Sequence, residues 1–289
     1  MHYICTWQHN MLLSANIMDA SKDRHPIKVD NLIDFIEGLQ ASGRYMFTAA
    51  DVQAAAPKTE IARKNALGRL KKRGRIVAPR RGFYVIVPTE YRSAGAPPPS
   101  WFIDALMSFL DQPYYSGLLS AAAVHGASHQ QPMVFQVVTD RPTRKAIAGR
   151  ARIEFFKSSL VANAAITTVE TETGAMRVSS PEVTALDLVR FAHACGGWSN
   201  VATVLAELAE RLSPDELSSA AKNRKSPEVQ RLGYLLDQAE QPRLADSLLR
   251  VLTARRIRPV PLAPDAPRGD AVPVYPWRVI PNEAVEIDL

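Results

Sequence analysis

The chain has 289 residues, of which 46% are hydrophobic and 22% charged, the composition of an ordinary globular protein, and its formal net charge is +6. Its two cysteines, Cys5 and Cys195, are far apart in the sequence, which excludes a disulfide framework and a cysteine metal site and favours a cytoplasmic location. No run of about 18 apolar residues exists, so no membrane span is predicted.

The first segment, residues 1–29, is predicted to be a flexible N-terminal extension. It lacks the positive start and apolar centre of a signal peptide. Met11 and Met18 are alternatives to Met1 as the true start of translation.

Residues 30–92 show the order of a winged helix-turn-helix domain. An apolar stripe predicts a helix over residues 30–40. Thr48 caps a short second helix, and Thr59 begins a third helix that Gly74 ends. Two β-prone pieces, RIVA and GFYVIVP, then surround a tight turn and predict a hairpin.

Positive charge is concentrated in this first domain. Residues 59–81 hold nine Lys or Arg and one acidic residue. Residues 44–92 hold 12 basic and 3 acidic residues, a local charge of +9, so the rest of the chain carries −3. A basic module on a mildly acidic body predicts contact with a polyanion.

The third helix has an apolar face and a basic face. Its apolar face, expected to pack on the first two helices, consists of Ala62, Ala66, Leu67 and Leu70. On the other face, Asn65 is suited to adenine and Arg69 to guanine. The residues expected to face duplex DNA, mostly through phosphates, are Lys64, Asn65, Arg69, Lys71, Lys72, Arg73, Arg80 and Arg81, the last two at the hairpin tip. The alternative is a solvated basic helix face.

Residues 93–100 contain three successive prolines and predict a stiff linker. Residues 101–289 then form a larger C-terminal α+β domain with a helical second half. Predicted helices cover residues 101–110, 117–125, 181–193, 200–211, 214–223, 227–239 and 242–255, and predicted strands cover 134–139, 152–156, 166–170 and 176–179. A proline-rich tail follows. The fold class is therefore α+β and mainly helical.

Catalytic patterns in the second domain are weak. His125 and His129 have a spacing that suits a metal, but Gly126 lies between them and no HExxH glutamate is present, which favours structural histidines. Ser116 and Ser120 near His125 lack a GxSxG elbow. No catalytic residue, metal site or cofactor is predicted.

Two further sets of charged residues leave alternatives open. Asp140, Glu154 and Lys157 partly match a metal-dependent nuclease, although two residues separate Glu154 from Lys157 where the usual pattern has one. A second basic patch consists of Arg141, Arg144, Lys145, Arg150 and Arg152. Three interpretations of it are open: an extension of the DNA-binding surface, a contact with an acidic partner, or a plain surface loop. Glu182 and Asp187 are interpreted as helix-capping acids.

Five stretches of the sequence resemble a known family. The stretches RYMFTAADV, GFYVIVPTEYR, PPPSWFIDALM, YYSGLLSAAAVHGASHQQPMVFQVVT and SPEVTALDLV are similar to the AbiEi antitoxins, which belong to bacterial abortive-infection toxin–antitoxin systems of type IV. The likeness covers residues 32–289, and GLLSAAAVHGASHQQP is its most specific part.

The resemblance implies a function for each domain. It implies a winged helix that binds double-stranded DNA at inverted repeats of its own promoter and represses the operon. It implies a C-terminal antitoxin domain without enzymatic activity, and a cognate nucleotidyltransferase-like toxin that need not form a stable complex with it. A metal-dependent nuclease and a plain transcriptional regulator with a ligand-sensing C-terminal domain are the alternatives.

Overall fold

The computed structural model describes residues 32–55, 59–127 and 132–287. The predicted extension over residues 1–29, its alternative start residues and His129 lie outside these ranges. Within them, helices and mixed sheets are combined, and the predicted α+β class is confirmed. None of the helices in the described ranges has the length and apolar character needed to cross a membrane.

The N-terminal module contains three helices and a small sheet. They are α1 (Leu32–Ala41), β1 (Met46–Thr48), α2 (Ala49–Ala55), α3 (Glu60–Lys72), β2 (Ile76–Arg80) and β3 (Phe83–Ile86). The three strands are antiparallel in the order β1-β3-β2. The predicted helices and hairpin are present, and β1 is an addition that the sequence analysis missed.

Side chains at the start of each short helix hold these elements in place. The Thr48 hydroxyl accepts a hydrogen bond from the Asp51 amide (3.2 Å), while the Asp51 carboxylate accepts from the Thr48 amide (2.7 Å). This reciprocal pair satisfies two otherwise unpaired donors at the start of α2. Thr59 likewise caps α3, accepting from the Ala62 amide at 3.3 Å.

The second part of the chain is built on a mixed six-stranded sheet. Its strands are β4 (Tyr114–Ser116), β5 (Val134–Thr139), β6 (Ala146–Ala148), β7 (Ala151–Lys157), β8 (Ile166–Thr171) and β9 (Gly174–Ser179). Their order is β6-β7-β5-β4-β9-β8, with β5–β7 and β4–β9 parallel and the other pairs antiparallel. Strand β8 is therefore one edge of the sheet.

Helices cover the two faces of this sheet. Successive residues of a strand point to opposite faces. Accordingly, Tyr114 and Val137 join one hydrophobic cluster, and Tyr115 and Val138 join the other. The helices are α4 (Ile103–Phe109), α5 (Leu118–Val124), α6 (Pro181–Arg190), α7 (Gly197–Leu208), α8 (Pro214–Ala221), α9 (Ser226–Gln238) and α10 (Pro242–Thr253).

The N-terminal module packs tightly on the second part. Phe83 and Val85 of β3 are buried in the same cluster as Ile103 and Leu106 of α4. The segment predicted as a linker, residues 93–100, is packed as well: its Ala94 carbonyl accepts from the Arg150 amide at 2.8 Å. The module is thus fixed against the second domain.

A glycine contact shows how closely the two parts approach. A Cβ atom on Gly95 would lie 2.9 Å from Gly149 Cα, and both glycines have positive φ, at 77° and 55°. Real Cβ atoms do not approach backbone this closely, so both positions require glycine.

The proline-rich tail docks on the helices through two short strands. Strand β10 (Val260–Pro261) pairs in parallel with β11 (Val279–Ile280). Trp277 is buried against α9, where its indole ring fills the space that a Cβ atom on Gly233 would occupy. Gln230 secures the same place by donating to the Trp277 carbonyl at 2.8 Å.

Candidate nucleic-acid interface

Helix α3 presents its basic face to solvent. Leu67 and Leu70 are buried among the other helices of the module, as predicted. The exposed residues of the opposite side and its end are Lys64, Asn65, Arg69, Lys71, Lys72 and Arg73. Gly68 lies between them with open space where a Cβ atom would be, so it lets the helix surface be approached closely from outside.

This face forms one wall of a basic cleft. The cleft has a volume of about 1100 Å³ and lies between α2, α3 and the hairpin turn. Its charged lining residues are Glu60, Arg63, Lys64, Arg69, Lys71, Lys72 and Arg81. Six of these seven are basic, and a concave surface of one charge sign concentrates its field on an incoming polyanion.

The hairpin turn is short and fixed. It consists of Arg81 and Gly82, the latter with φ of 85°, a left-handed conformation that glycine adopts readily. The Gly82 carbonyl accepts from the Ala49 amide at 2.8 Å, which ties the turn to the start of α2. The exposed Arg81 side chain is therefore held beside the basic face of α3.

Arg80, which was predicted to face DNA with Arg81, is placed differently. Its guanidinium donates to the main-chain carbonyls of Arg144 and of Lys145 (3.0 Å for Lys145), and it lies 5.4 Å from the centre of the Phe155 ring. Burial, with a smaller effect of the Arg144 charge, lowers the Arg80 pKa. The prediction therefore needs correction: Arg80 joins the module to the second domain.

The second basic patch is partly neutralised. Lys145 pairs with Glu154, and Arg141 pairs with Asp140 at 3.2 Å. Arg150 and Arg152 are exposed near this loop. Two of the five residues of the patch are thus paired with acids within the chain.

The residues of the nuclease alternative do not converge. Glu154 and Lys157 are three positions apart on β7, so they point to opposite faces of the sheet. Asp140 and Glu154 each have a basic partner within the chain. In the described ranges, no group of three or more metal-type ligands exists.

His125 and Ser120, two of these candidates, have structural contacts. His125, at the end of α5, places Nε2 at 2.8 Å from the Ser179 carbonyl. Ser120 accepts from the Gln136 amide at 2.9 Å. These contacts agree with the structural interpretation of His125, and neither Ser116 nor Ser120 is paired with it in the part of the chain that the structure describes.

A buried ionic network was missed by the sequence analysis. Asp187 is fully buried, and its carboxylate accepts from Arg224 at 2.6 Å and from the Tyr115 hydroxyl at 2.7 Å. Burial is the largest single effect and lowers the Arg224 pKa, but the charge and hydrogen bond of Asp187, together with the charges of Tyr115 and Glu228, raise that pKa on balance. For Tyr115, burial and the same carboxylate raise the pKa.

The capping interpretation of Asp187 was therefore wrong, because its carboxylate turns into the core from the last turns of α6. Glu182 does lie in the first turn of that helix. It accepts from the Ser180 hydroxyl at 2.9 Å and from the Ser213 amide at 3.1 Å, which links the starts of α6 and α8.

Fold and site together define a class of protein: a basic three-helix module packed on a larger α+β domain with a mixed sheet. Within that domain, residues 115–238 match the family model described as the AbiEi antitoxin C-terminal domain. This part of the chain is an AbiEi antitoxin domain, and the resemblance seen in the sequence is confirmed over these residues. The match supports a role in a toxin–antitoxin system.

One solved structure supports the fold. The crystal structure of the RV2827C protein from Mycobacterium tuberculosis is similar with a TM-score of 0.64 and 17% identity, over 85% of this chain and 89% of that chain. An antigenic nucleotidyltransferase-like protein from Paracoccidioides brasiliensis aligns with a TM-score of 0.32 and 13% identity, over 52% of this chain and 90% of that chain, too low to carry an argument. No curated protein matches the sequence.

Proposed function

We propose that the chain is a bacterial antitoxin that also binds double-stranded DNA and represses its own operon. The observation that carries the DNA-binding part is the exposed basic face of α3 beside the fixed turn at Arg81. The antitoxin part is supported by the family match of residues 115–238.

In this proposal the N-terminal module is a winged helix-turn-helix domain. Helix α3 enters the major groove, which is about 12 Å wide and admits an α-helix. Asn65 and Arg69 read base edges, because amide and guanidinium groups form paired hydrogen bonds with adenine and guanine respectively. Lys64, Lys71, Lys72 and Arg73 bind phosphates and set the register, and Arg81 of the turn binds the backbone beside the groove.

The operator is expected to be an inverted repeat at the promoter of the chain's own operon. One module contacts few base pairs, so two copies on related half-sites give the required specificity. Arg150 and Arg152 are exposed on the second domain and extend the phosphate contacts of each copy.

The C-terminal domain acts as the antitoxin without catalysing a reaction. Its cognate toxin is a nucleotidyltransferase-like protein of an abortive-infection system that acts in phage defence in the cytoplasm. This assignment is favoured over a nuclease because Asp140, Glu154 and Lys157 do not converge on one site.

Fluorescence anisotropy tests the DNA-binding part. The labelled probe is the DNA upstream of the gene for this chain, and the reference is a scrambled duplex of the same composition. We expect tighter binding to the upstream DNA, with affinity that falls steeply with salt as counterions are released. Replacing Arg69 by Ala should weaken binding to the upstream DNA about tenfold or more, since a bidentate base contact contributes about 1–3 kcal/mol.

The matched control for that variant is Arg243→Ala, which removes the same charge from an exposed position on α10. Equal affinity for both duplexes, or an equal effect of the two substitutions, would contradict the proposal that α3 reads base edges through Arg69.

Growth rescue tests the antitoxin part of the proposal. Co-expression of this chain should relieve the growth arrest caused by the nucleotidyltransferase-like gene product encoded beside it. A plain ligand-sensing regulator would bind the DNA and leave the arrest unchanged.

A further inference from the structure

Strand β8 leaves one edge of the six-stranded sheet open. Among the described residues, β8 pairs with β9 on one side and with no strand on the other. Its sequence, ITTVET, contains neither proline nor lysine, the residues that commonly protect an edge against a further strand. It is also well exposed, with Ile166 at 43% of its full accessibility.

The hairpin geometry shows which backbone groups face outward. Thr171 pairs with Gly174 across a two-residue turn, and residues beside such a turn exchange hydrogen bonds with each other. Because the pattern alternates along the strand, Ile166, Thr168 and Glu170 direct their N–H and C=O groups away from β9. These groups are positioned to pair with an added strand.

An acidic groove lies beside the start of this edge. It has a volume of about 650 Å³ and separates Ile166 and Thr167 from helices α6 and α8. Glu182, 2% exposed, lies in its wall, and the exposed Glu216 lies on α8. The groove also contains Arg224, but that guanidinium is already paired with Asp187 at 2.6 Å.

We propose that this edge and groove bind an extended segment of a partner protein, which adds as a seventh strand to β8 and places a basic side chain in the groove. Backbone hydrogen bonds to Ile166, Thr168 and Glu170 supply affinity, and the side chain opposite Glu216 supplies specificity. The site lies within residues 115–238, the part that matches the antitoxin domain. The inference deepens the proposed antitoxin role and rests on it for the identity of the partner, the toxin.

Charge argues against a second copy of this chain as the occupant. Antiparallel pairing of two β8 strands would bring Ile166–Thr171 of one copy to the groove of the other. The only charged residue of β8 is Glu170, which would bring a negative charge towards Glu182 and Glu216. Like charges close together oppose association, so a basic partner fits better than a copy.

Selection from a displayed library of random 12-residue peptides tests the site on the full-length protein. We expect the enriched peptides to share one Lys or Arg flanked by β-branched residues. A synthetic copy of an enriched peptide should bind the wild-type chain and Thr168→Val with equal affinity. Thr168→Pro removes one outward N–H and should weaken binding at least tenfold, as should Glu216→Lys, which reverses the charge at the groove.

A chemical variant of the peptide keeps the test valid if Thr168→Pro does not fold. Methylation of alternate backbone nitrogens of the peptide removes its own strand-pairing donors while the protein stays intact, and should also weaken binding at least tenfold. The proposal would be overturned by enriched peptides that lack a basic position, or by unchanged affinity of the methylated peptide. It would also be overturned if the wild-type chain formed a dimer that persists in Glu216→Lys and is lost in Thr168→Pro, because a second copy would then occupy the edge.

The same variants separate this inference from the proposed function. Binding of Thr168→Pro to the upstream DNA should equal that of the wild type, because β8 is not part of the basic cleft. Loss of growth rescue by Thr168→Pro and by Glu216→Lys would support the edge as the toxin contact. Full rescue by both variants would overturn the assignment of the β8 edge as the toxin contact and leave the antitoxin role intact. Failed rescue by the wild-type chain would overturn the antitoxin role itself.

Discussion

Replacing Arg224 by methionine should strongly destabilise the C-terminal domain. The substitution removes the guanidinium that lies 2.6 Å from the buried Asp187 carboxylate and keeps a side chain of similar length. The Tyr115 hydroxyl, at 2.7 Å, would remain as a donor, but no positive charge would face the carboxylate directly. A buried charge without its partner is far more costly than a buried pair.

The expected loss is about 3–5 kcal/mol in the free energy of unfolding, the range for breaking a buried ion pair. This is a large share of the total, since natural domains are stable by about 5–15 kcal/mol. Removing both charges together, as in Asp187→Leu with Arg224→Met, should recover much of the loss, because no unpaired charge is then buried.

Urea unfolding followed by circular dichroism measures these changes, with the wild type and both variants at pH 7. A loss below about 1 kcal/mol, or a double variant less stable than the single, would refute the reasoning.

The remaining predictions concern other buried groups. Burial raises the Glu228 pKa, so Glu228→Gln should not reduce stability at pH 7 in urea unfolding, and wild-type stability attributable to this group should increase as pH falls towards the unfolded pKa. Gly233→Ala should displace Trp277, detected as a red-shifted tryptophan emission and a lowered Tm. Arg80→Ala should lower Tm without changing the salt dependence of DNA binding. Burial raises the pKa of Cys195 to about 12, so a thiol reagent should label it only on unfolding.

Local patterns in the sequence were enough to predict most helices and six strands. The predicted strand over residues 134–139 coincides with β5, because this short run is rich in β-branched and aromatic residues that suit a buried sheet. Helix starts were also predicted well: Ser180 accepts from the Val183 amide at 3.3 Å, in front of Pro181. Strands β1, β4 and β6 were missed, since three residues are too few to show a period of two.

Contacts between distant residues account for the errors at the site. The amphipathic pattern of α3 correctly predicted that Leu67 and Leu70 are buried and Arg69 exposed. The placement of Arg80 depends on a loop 64 residues further along the chain, which no local pattern reveals. Likewise, Asp187 and Arg224 are 37 residues apart, and they meet because α6 packs against α8 and α9, whose connecting turn carries Arg224.

The burial of Phe83 and Val85 against α4 affects how this protein can be divided or recombined. Cutting the chain between residues 92 and 101 would leave apolar surface exposed on each fragment, and such surface promotes aggregation. Chimaeras that exchange the first 92 residues between relatives should therefore fold only when the partner face around Leu106 is exchanged with them. During evolution, changes on one side of this contact are then acceptable only with matching changes on the other.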